Sequence, residues 1–558
     1  MKSLISVVLI ALLAAQGNAQ LSEGGLPWSM RHGLDRSAVP TARAIVIDPV
    51  AVAAEDARRA ESGAVPADAR MLAVDADLST SGVWHALPNG DGIWRLRVES
   101  PGALATELFF RDFYLPLGGI LHVYSKDGEE ILGGFSGYHN KHNGIFATAQ
   151  VQGDACFVEY FEPAAVRAEG RFVISSLGHT YRHLGGDRAA NCHVDVNCAQ
   201  EGNGWQDQRD GVVKLRLTMN GVLYECSGGL VNNVTLDCSR YFLTAYHCGQ
   251  DPDLNVISDA DLLLTKFYFN YERTGCGLGS ASTGHNITGA VRRAESNDDG
   301  GANGSDFLLL EAEDAVNDSW APYWLGWDAA SGQHTGGKCI HHPQGDEKKI
   351  STFTAPTLTT SWNFSGLQSH YLVYWVSTAN GWGVTAGGSS GSPLFDASGK
   401  VIGTLTGGSS FCESQQPGGQ ELPDVFGKMS YHWSSNPGPA TEELRTWLDP
   451  QNTGTLVLEG SYGPCGTIGV QESASLDRPL LAPNPASDAL RITFPTTAGP
   501  INRVNVSDIT GKVVASTRPT ATENMVLAVG HLSAGTYFVW LSTDGASLPA
   551  VKFEVVPR

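Results

Sequence analysis

Hydrophobic residues in this chain come in short runs, broken by clusters of Gly, Ser, Asn and Asp. Runs of this length between turn formers predict strands, not helices. Ile93-Trp94-Arg95-Leu96-Arg97-Val98 and Gly119-Ile120-Leu121-His122-Val123-Tyr124 read as strands, the second closed by a turn at Lys126-Asp127-Gly128. The pattern returns near the C-terminus in Ala489-Leu490-Arg491-Ile492-Thr493-Phe494, Arg503-Val504-Asn505-Val506 and Thr536-Tyr537-Phe538-Val539-Trp540-Leu541. Helical periodicity is confined mainly to Thr441-Glu442-Glu443-Leu444-Arg445-Thr446-Trp447-Leu448, after Pro437-Gly438-Pro439. No repeat of solenoid type recurs. The predicted class is all-β, with a barrel or sandwich in the central part.

One apolar run is of a different kind. Lys2 precedes the apolar residues 4–13, and small residues follow to Gly17-Asn18-Ala19. This predicts a signal peptide over residues 1–19, too short to span a bilayer with flanks. No later stretch is long and apolar enough to span. The mature chain is expected to be exported, and soluble or held at a surface by something other than a helix.

Length and charge narrow the picture. A chain of 558 residues exceeds one core, so several domains are expected. The formal net charge of -21 is spread along the chain and argues against nucleic-acid binding. Export places the ten cysteines in an oxidising compartment. Eight of them fall between Cys192 and Cys412, and none has CxxC spacing, so disulfides are expected and zinc is not. His341 and His342 are adjacent and would face opposite sides of a strand, which suits structural roles better than a shared metal. Neither a metal nor a cofactor is expected.

The chemistry lies in the Cys-rich part. In Gly387-Gly388-Ser389-Ser390-Gly391-Ser392-Pro393, glycines around a serine permit a sharp turn that exposes a hydroxyl and gathers backbone N–H groups able to hold an oxyanion. Tyr241-Phe242-Leu243-Thr244-Ala245-Tyr246-His247-Cys248 is a strand expected to end in a His beside a Cys, a rigid place for a general base. Ser305-Asp306-Phe307-Leu308-Leu309-Leu310 puts an Asp at the opening of an apolar strand, where it can orient an imidazole. The order His, Asp, Ser matches the double β-barrel proteases and not the subtilisin or α/β-hydrolase orders.

These motifs resemble the trypsin superfamily, and more closely the bacterial lysyl endopeptidases. The same order and similar spacing hold over roughly residues 190–455. They include Ser227-Gly228-Gly229-Leu230-Val231-Asn232-Asn233, Ile340-His341-His342-Pro343 with Glu347-Lys348, and Trp447-Leu448-Asp449-Pro450. The resemblance implies a chymotrypsin-like double β-barrel. It implies Ser390 as nucleophile, His247 as acid and base, Asp306 as its orienter, and an oxyanion hole from the N–H groups of Gly388 and Ser390. It also implies disulfides Cys192–Cys412, Cys198–Cys276 and Cys226–Cys248. Cys156, Cys238, Cys339 and Cys465 are left open, with Cys238–Cys339 as one pairing to consider. Asp424, in Pro423-Asp424-Val425-Phe426-Gly427, falls where the family carries its lysine-selecting carboxylate. Trp362 matches an aromatic residue that shapes the lysyl pocket by stacking on a His, but Thr406 occupies the place of that His.

Activation follows the same comparison. The Asp that precedes the nucleophile in trypsin-like zymogens is here Ser389, so that switch is absent. Residues 20–188 are expected to be a β-rich propeptide domain that chaperones or inhibits a protease domain at 189–465. No lysine lies between Lys141 and Cys192, while Arg167, Arg171, Arg182 and Arg188 do. Another protease cutting at arginine, or acceptance of arginine by the enzyme itself, would then free the mature end. After a linker at 466–479, residues 480–558 resemble the type A sorting domains of type IX secretion. The matching motifs are Ala482-Pro483-Asn484-Pro485-Ala486-Ser487, Val506-Ser507-Asp508-Ile509-Thr510-Gly511-Lys512-Val513-Val514, Leu532-Ser533-Ala534-Gly535-Thr536-Tyr537 and Lys552-Phe553-Glu554-Val555. That resemblance implies a β-sandwich and the type IX machinery as partner. The expected function is a secreted or surface serine endopeptidase, monomeric, acting on proteins or peptides after lysine. The alternatives are a silent adhesin on a protease fold, or a protease of arginine or broad basic preference.

Overall fold

The computed structural model describes residues 25–61, 65–182, 192–364, 366–412, 418–465, 479–494, 501–508, 513–519, 524–542 and 551–556. The signal-peptide reading and Arg188 lie outside the described residues. The chain divides into two compact units, residues 1–465 and 466–558.

Inside the first unit, the N-terminal region is a two-sheet β-sandwich. One sheet orders Thr41–Arg43, Gly92–Glu99, Ala155–Glu162, Ile120–Ser125 and Ile131–Phe135. The other contains Ala67–Asp77, Arg171–Thr180, Ala105–Tyr114 and Phe146–Ala147. Apolar residues meet between them, among them Trp94, Leu96, Leu108, Phe110, Phe172 and Ile174. Trp94 is fully buried, yet its indole N–H is satisfied by the Ser81 carbonyl at 2.6 Å.

Two groups of antiparallel strands follow, in the places expected for the two β-barrels. The first joins Val212–Met219, Val222–Val231, Tyr241–Thr244, Lys266–Tyr268, Asn286–Thr288, Ala290–Glu295 and Leu308–Ala312, around Leu215, Leu230, Phe242, Phe267 and Leu310. The second joins Thr335–His341, Lys349–Pro356, His370–Val373, Pro393–Asp396, Val401–Gly408 and Asp424–Lys428, around Phe353, Tyr371, Leu394, Leu405 and Phe426. A third apolar cluster draws from both, including Val231, Leu243, Leu309, Trp327, Ile340 and Phe395. The expected helix at 441–448 is shorter. Glu443 is extended at φ -71°, ψ 139°, and divides a 3-10 turn, Ala440–Glu442, from the helix Leu444–Leu448.

Disulfides join Cys192–Cys412, Cys198–Cys276, Cys226–Cys248 and Cys238–Cys465. The Cys238–Cys339 pairing does not form. Cys339 is buried in the second barrel beside Ser392, and Cys238 is taken by Cys465. The barrel region therefore runs on to Cys465. Val457–Leu458 pairs with Trp327–Asp328, and Ser461–Tyr462 with Tyr323–Trp324.

The N-terminal sandwich is continuous with the first barrel. Strand Ala67–Asp77 adds antiparallel to Val222–Val231, with Val222 opposite Arg70 and Leu223 opposite Ala69. At this seam the barrel's Arg216 is sealed from water. It donates to Glu107 at 2.8 Å, to Asp68 at 2.8 Å and to Glu225 at 2.6 Å, while Lys266 reaches Glu107 at 2.5 Å. Burial alone would raise the Glu107 carboxyl. The two cations outweigh it and bring the carboxyl down to about 2.

The second unit is a smaller β-sandwich. Leu480–Ala482, Ala489–Thr493 and Asn524–Ala528 form one sheet, and Val513–Thr517, Arg503–Asp508, Gly535–Ser542 and Val551–Val555 the other. Leu490, Ile492, Val504, Val539, Leu541 and Phe553 fill its core.

Removing one partner from a buried ion pair strands the other. Glu107→Ala should therefore destabilise the full-length chain by about 3–5 kcal/mol. A fall in the denaturant midpoint, followed by tryptophan fluorescence, measures it.

Candidate active site

Strand Tyr241–Thr244 stops before His247, which lies in the 3-10 turn Tyr246–Gly249. The Cys226–Cys248 bond ties this turn to strand Val222–Val231. Asp306 likewise precedes its strand, Leu308–Ala312, and holds a left-handed φ of 59°. The Asp306 carboxylate grips His247 twice. Oδ1 accepts the His247 backbone N–H at 2.9 Å, and Oδ2 lies 2.7 Å from ring Nδ1. Asp306 is fully buried, whereas the His247 side chain is 19% exposed. Desolvation pulls the imidazole's proton affinity down. The Asp306 charge and hydrogen bond, with a smaller push from Asp298, more than reverse that and raise it above the ordinary 6.5.

Ser390 comes from a loop packed against the same strand end. Its carbonyl accepts the Ser227 N–H at 2.8 Å. A Cβ on Gly391 would collide with Thr244 Oγ1 and lie 2.6 Å from the Ala245 nitrogen, so only glycine lets the serine loop approach so closely. Gly388, at φ 94°, turns the loop. The Gly387 carbonyl is held by the Gln344 N–H at 2.5 Å and the Ser389 carbonyl by the Ser392 N–H at 3.0 Å. Across a trans peptide plane, fixing a carbonyl on one side directs the next N–H to the other. Among the described residues the N–H groups of Ser389, Gly391 and Ser392 have acceptors, while those of Gly388 and Ser390 have none. One of these free donors belongs to Ser390 itself, and the other lies two residues before it.

Ser389 is buried, and its hydroxyl meets His341 Nδ1 at 2.7 Å. His341 Nε2 is 3.0 Å from Ser351 Oγ, and His342 Nδ1 is 2.9 Å from the Asp346 carbonyl. Both imidazoles are fully buried, and desolvation drives both toward the neutral form.

Asp424 is sealed beneath the serine loop. Its Oδ2 accepts from Trp375 Nε1 at 2.6 Å, Thr385 Oγ1 at 2.7 Å and Ser410 Oγ at 2.6 Å, and Oδ1 accepts the Ser410 N–H at 3.1 Å. Burial raises its carboxyl above the usual range despite these donors. Gly408 lies opposite Asp424 across the ladder, and any side chain there would overlap Oδ1. Trp362 lies over the strand Val401–Gly408, where a Cβ on Gly407 would be 2.9 Å from its ring. Thr406 is buried on that strand, 5% exposed. A histidine is nevertheless near. His370 opens strand His370–Val373, two strands away in the sheet, and its ring centroid is 6.5 Å from that of Trp362. Sequence reasoning missed His370, Trp375, Thr385, Ser410 and Asp298. Only Asp298 left a trace, inside the polar cluster Asn297-Asp298-Asp299-Gly300-Gly301, which reads as a turn.

Residues 186–427 match the family model "Lysyl endopeptidase, C-terminal domain". A lysyl endopeptidase of Pseudomonas aeruginosa is 29% identical over 368 residues, covering 61% of this chain and 73% of that protein. The chain is a serine endopeptidase, similar over these residues to lysyl endopeptidases. Residues 481–551 match a secretion system C-terminal sorting domain, and the enzyme is thus exported to the cell surface or beyond. Solved structures similar to the chain include the protease Anisep of Arthrobacter nicotinovorans, with 14% identity, 39% of this chain and 90% of that one covered, and a TM-score of 0.28. Another is the thermostable serine protease AL20 of an extremophilic microorganism, with 14% identity, 40% and 93% coverage, and a TM-score of 0.29.

An imidazole can take a proton only while neutral, so kcat/KM of the processed enzyme should rise with pH through an ionisation lying above 6.5. A pH–rate profile on an ester substrate checks it. Cys226→Ser with Cys248→Ser, which opens a loop of separation 22, should cost about 3 kcal/mol of stability. It should also lower kcat more than it raises KM, as read from melting and steady-state kinetics.

Proposed function

We propose that the enzyme cleaves peptide bonds after lysine through an acyl-enzyme formed on Ser390. The observation that carries this reading is the buried Asp424 carboxylate, which has no cation among its contacts. A charge sealed in this way is costly, and a substrate ammonium entering the pocket relieves it. Three donors already crowd Oδ2, and Oδ1 carries only one. One oxygen is thus left for a single-point contact, which suits the compact ammonium of lysine. The planar guanidinium of arginine prefers two parallel bonds to both oxygens. Trp375, Thr385 and Ser410 act here as specificity residues because they spend Oδ2.

In the proposed mechanism His247 Nε2 takes the Ser390 proton as Oγ attacks the scissile carbonyl. Asp306 holds the imidazole through Nδ1 and stabilises the imidazolium. The free N–H groups of Gly388 and Ser390 receive the oxyanion. His247 then returns the proton to the leaving amine, and water releases the acyl group by the same route. Ser389, spent on His341, supplies no carboxylate for a new N-terminus. Activation in this reading is release of residues 20–188 from the domain at 189–465. Arg167 and Arg171 are exposed, and Arg182 donates to the Ala67 carbonyl. The protein acts as a monomer on protein or peptide substrates, and residues 480–558 engage the type IX machinery.

Matched peptides bearing Lys, Arg or Leu before the scissile bond test this. Ser390→Ala should abolish turnover. Asp424→Ala should lower kcat/KM for Lys roughly 100- to 1,000-fold while leaving the slow cleavage after Leu unchanged. Equal rates for Lys and Arg in the wild type would discard the single-point argument and leave a broadly basic protease.

A further inference from the structure

Asp306 adopts a backbone conformation that a residue with a side chain visits uncommonly, at a cost of roughly 1–2 kcal/mol. Its neighbours show what holds it there. The Ser305 N–H donates to Asn436 Oδ1 at 2.9 Å, and Ser305 Oγ meets His432 Nδ1 at 2.7 Å. The Asp306 N–H donates to Oδ2 of Asp298 at 2.7 Å. Asp298 is 1% exposed and lies outside every motif of the triad. Its Oδ1 accepts the Gly301 N–H at 3.1 Å, and its carbonyl accepts the Asn303 N–H at 3.0 Å. The Ser296 hydroxyl also bonds the Asp298 carboxylate, while its oxygen accepts the Phe307 N–H at 3.0 Å. One carboxylate thereby ties the loop from 296 to 303 to both residues that open the strand Leu308–Ala312.

The result is two buried carboxylates separated by one peptide N–H, and both act on His247. The hydrogen bonds of Asp298 all come from neutral donors. Desolvation first, and then the charge of Asp306, push the Asp298 carboxyl up, while the N–H and O–H donors that it accepts favour the ionised form. The charge and titration around it are set by few groups. Asp306 and His247 lie on one side, with His370 and His432 interacting with Asp306 beyond them. Tyr246 and Tyr431 both feel the Asp298 charge, and Asp299 follows it in the chain.

We propose that Asp298 is a positioning residue of the hydrolysis, which pins the left-handed turn of Asp306 and adds a second negative charge behind the His247–Asp306 pair. The charge favours the imidazolium that forms as Ser390 is deprotonated, and the hydrogen bond keeps both Asp306 oxygens aimed at His247. This role rests on the Ser390–His247–Asp306 reading. It makes Asp298 a determinant of kcat and of the acid limb of the pH profile, not of lysine recognition.

The test compares processed wild type, Asp298→Asn and Ser390→Ala by peptide kinetics and by the pH dependence of inactivation with a small sulfonyl fluoride, which needs no specificity pocket. Asp298→Asn removes the charge and keeps an acceptor. It should lower kcat about 10- to 100-fold with KM nearly unchanged. It should also move the acid limb of inactivation down by about half a pH unit, because a base that loses a neighbouring anion binds its proton less tightly. A merely structural residue would lower the fraction of active enzyme without moving the limb. An unmoved limb in folded variant, with wild type labelled normally, overturns the role of Asp298 alone. Failure to label wild type, or labelling that persists in Ser390→Ala, overturns the triad reading and this one with it. If Asp298→Asn does not fold, Ser296→Ala weakens the hold on the Asp298 anion and should move the limb the same way, and no movement there overturns the proposal.

Discussion

The site depends on one carboxylate that serves two purposes. Asp306 accepts both the backbone N–H and the ring N–H of His247, across a separation of 59 residues. One bond fixes where the turn lies, and the other fixes which way the imidazole faces. Neither works unless Asp306 is itself immobile. The strand that follows it, the Asp298 acceptor and the Asn436 contact to Ser305 supply that rigidity. On the other side, the disulfide from Cys248 to Cys226 anchors the His247 turn to the strand whose Ser227 holds the serine loop. The proposed mechanism, which needs three side chains in register, would rest on strand ends.

Buried charge recurs as a structural device, with different outcomes. At the seam with the N-terminal sandwich, Arg216 and Lys266 meet Glu107, Asp68 and Glu225, and the attraction offsets much of the desolvation. At Asp424 no cation is present, only neutral donors. The first arrangement is complete and holds two regions together. The second leaves a buried carboxylate with neutral donors alone among the described residues. Asp298 is a third case, an anion kept in place by N–H and O–H donors beside a second anion, where its field can act on a base.

Part of this was readable from the chain. The strands at 93–98 and 120–124 appear where the alternation puts them, as Gly92–Glu99 and Ile120–Ser125. The glycine-rich serine loop, the His beside a Cys and the Asp before an apolar run are local patterns, and the folded chain brings Asp306 onto His247. What the local pattern misjudged was the last residue or two. His247 lies in a 3-10 turn beyond its strand, Asp306 stands before its strand, and Glu443 breaks the helix expected at 441–448. Such boundaries follow from contacts with neighbouring segments and not from periodicity.

By itself the sequence determined the all-β class, the order of His247, Asp306 and Ser390, and the glycines without which the serine loop could not close. Each of these depends on a residue type at one place, read against its immediate neighbours. Tertiary structure alone decided that Cys238 bonds Cys465, that His370 stands beside Trp362, that Trp375, Thr385 and Ser410 surround Asp424, and that Asp298 lies behind Asp306. These partners are polar residues of ordinary composition, most of them tens to hundreds of positions apart. No periodicity links them, and their meaning arises only when folding removes water and leaves each donor a single acceptor within reach.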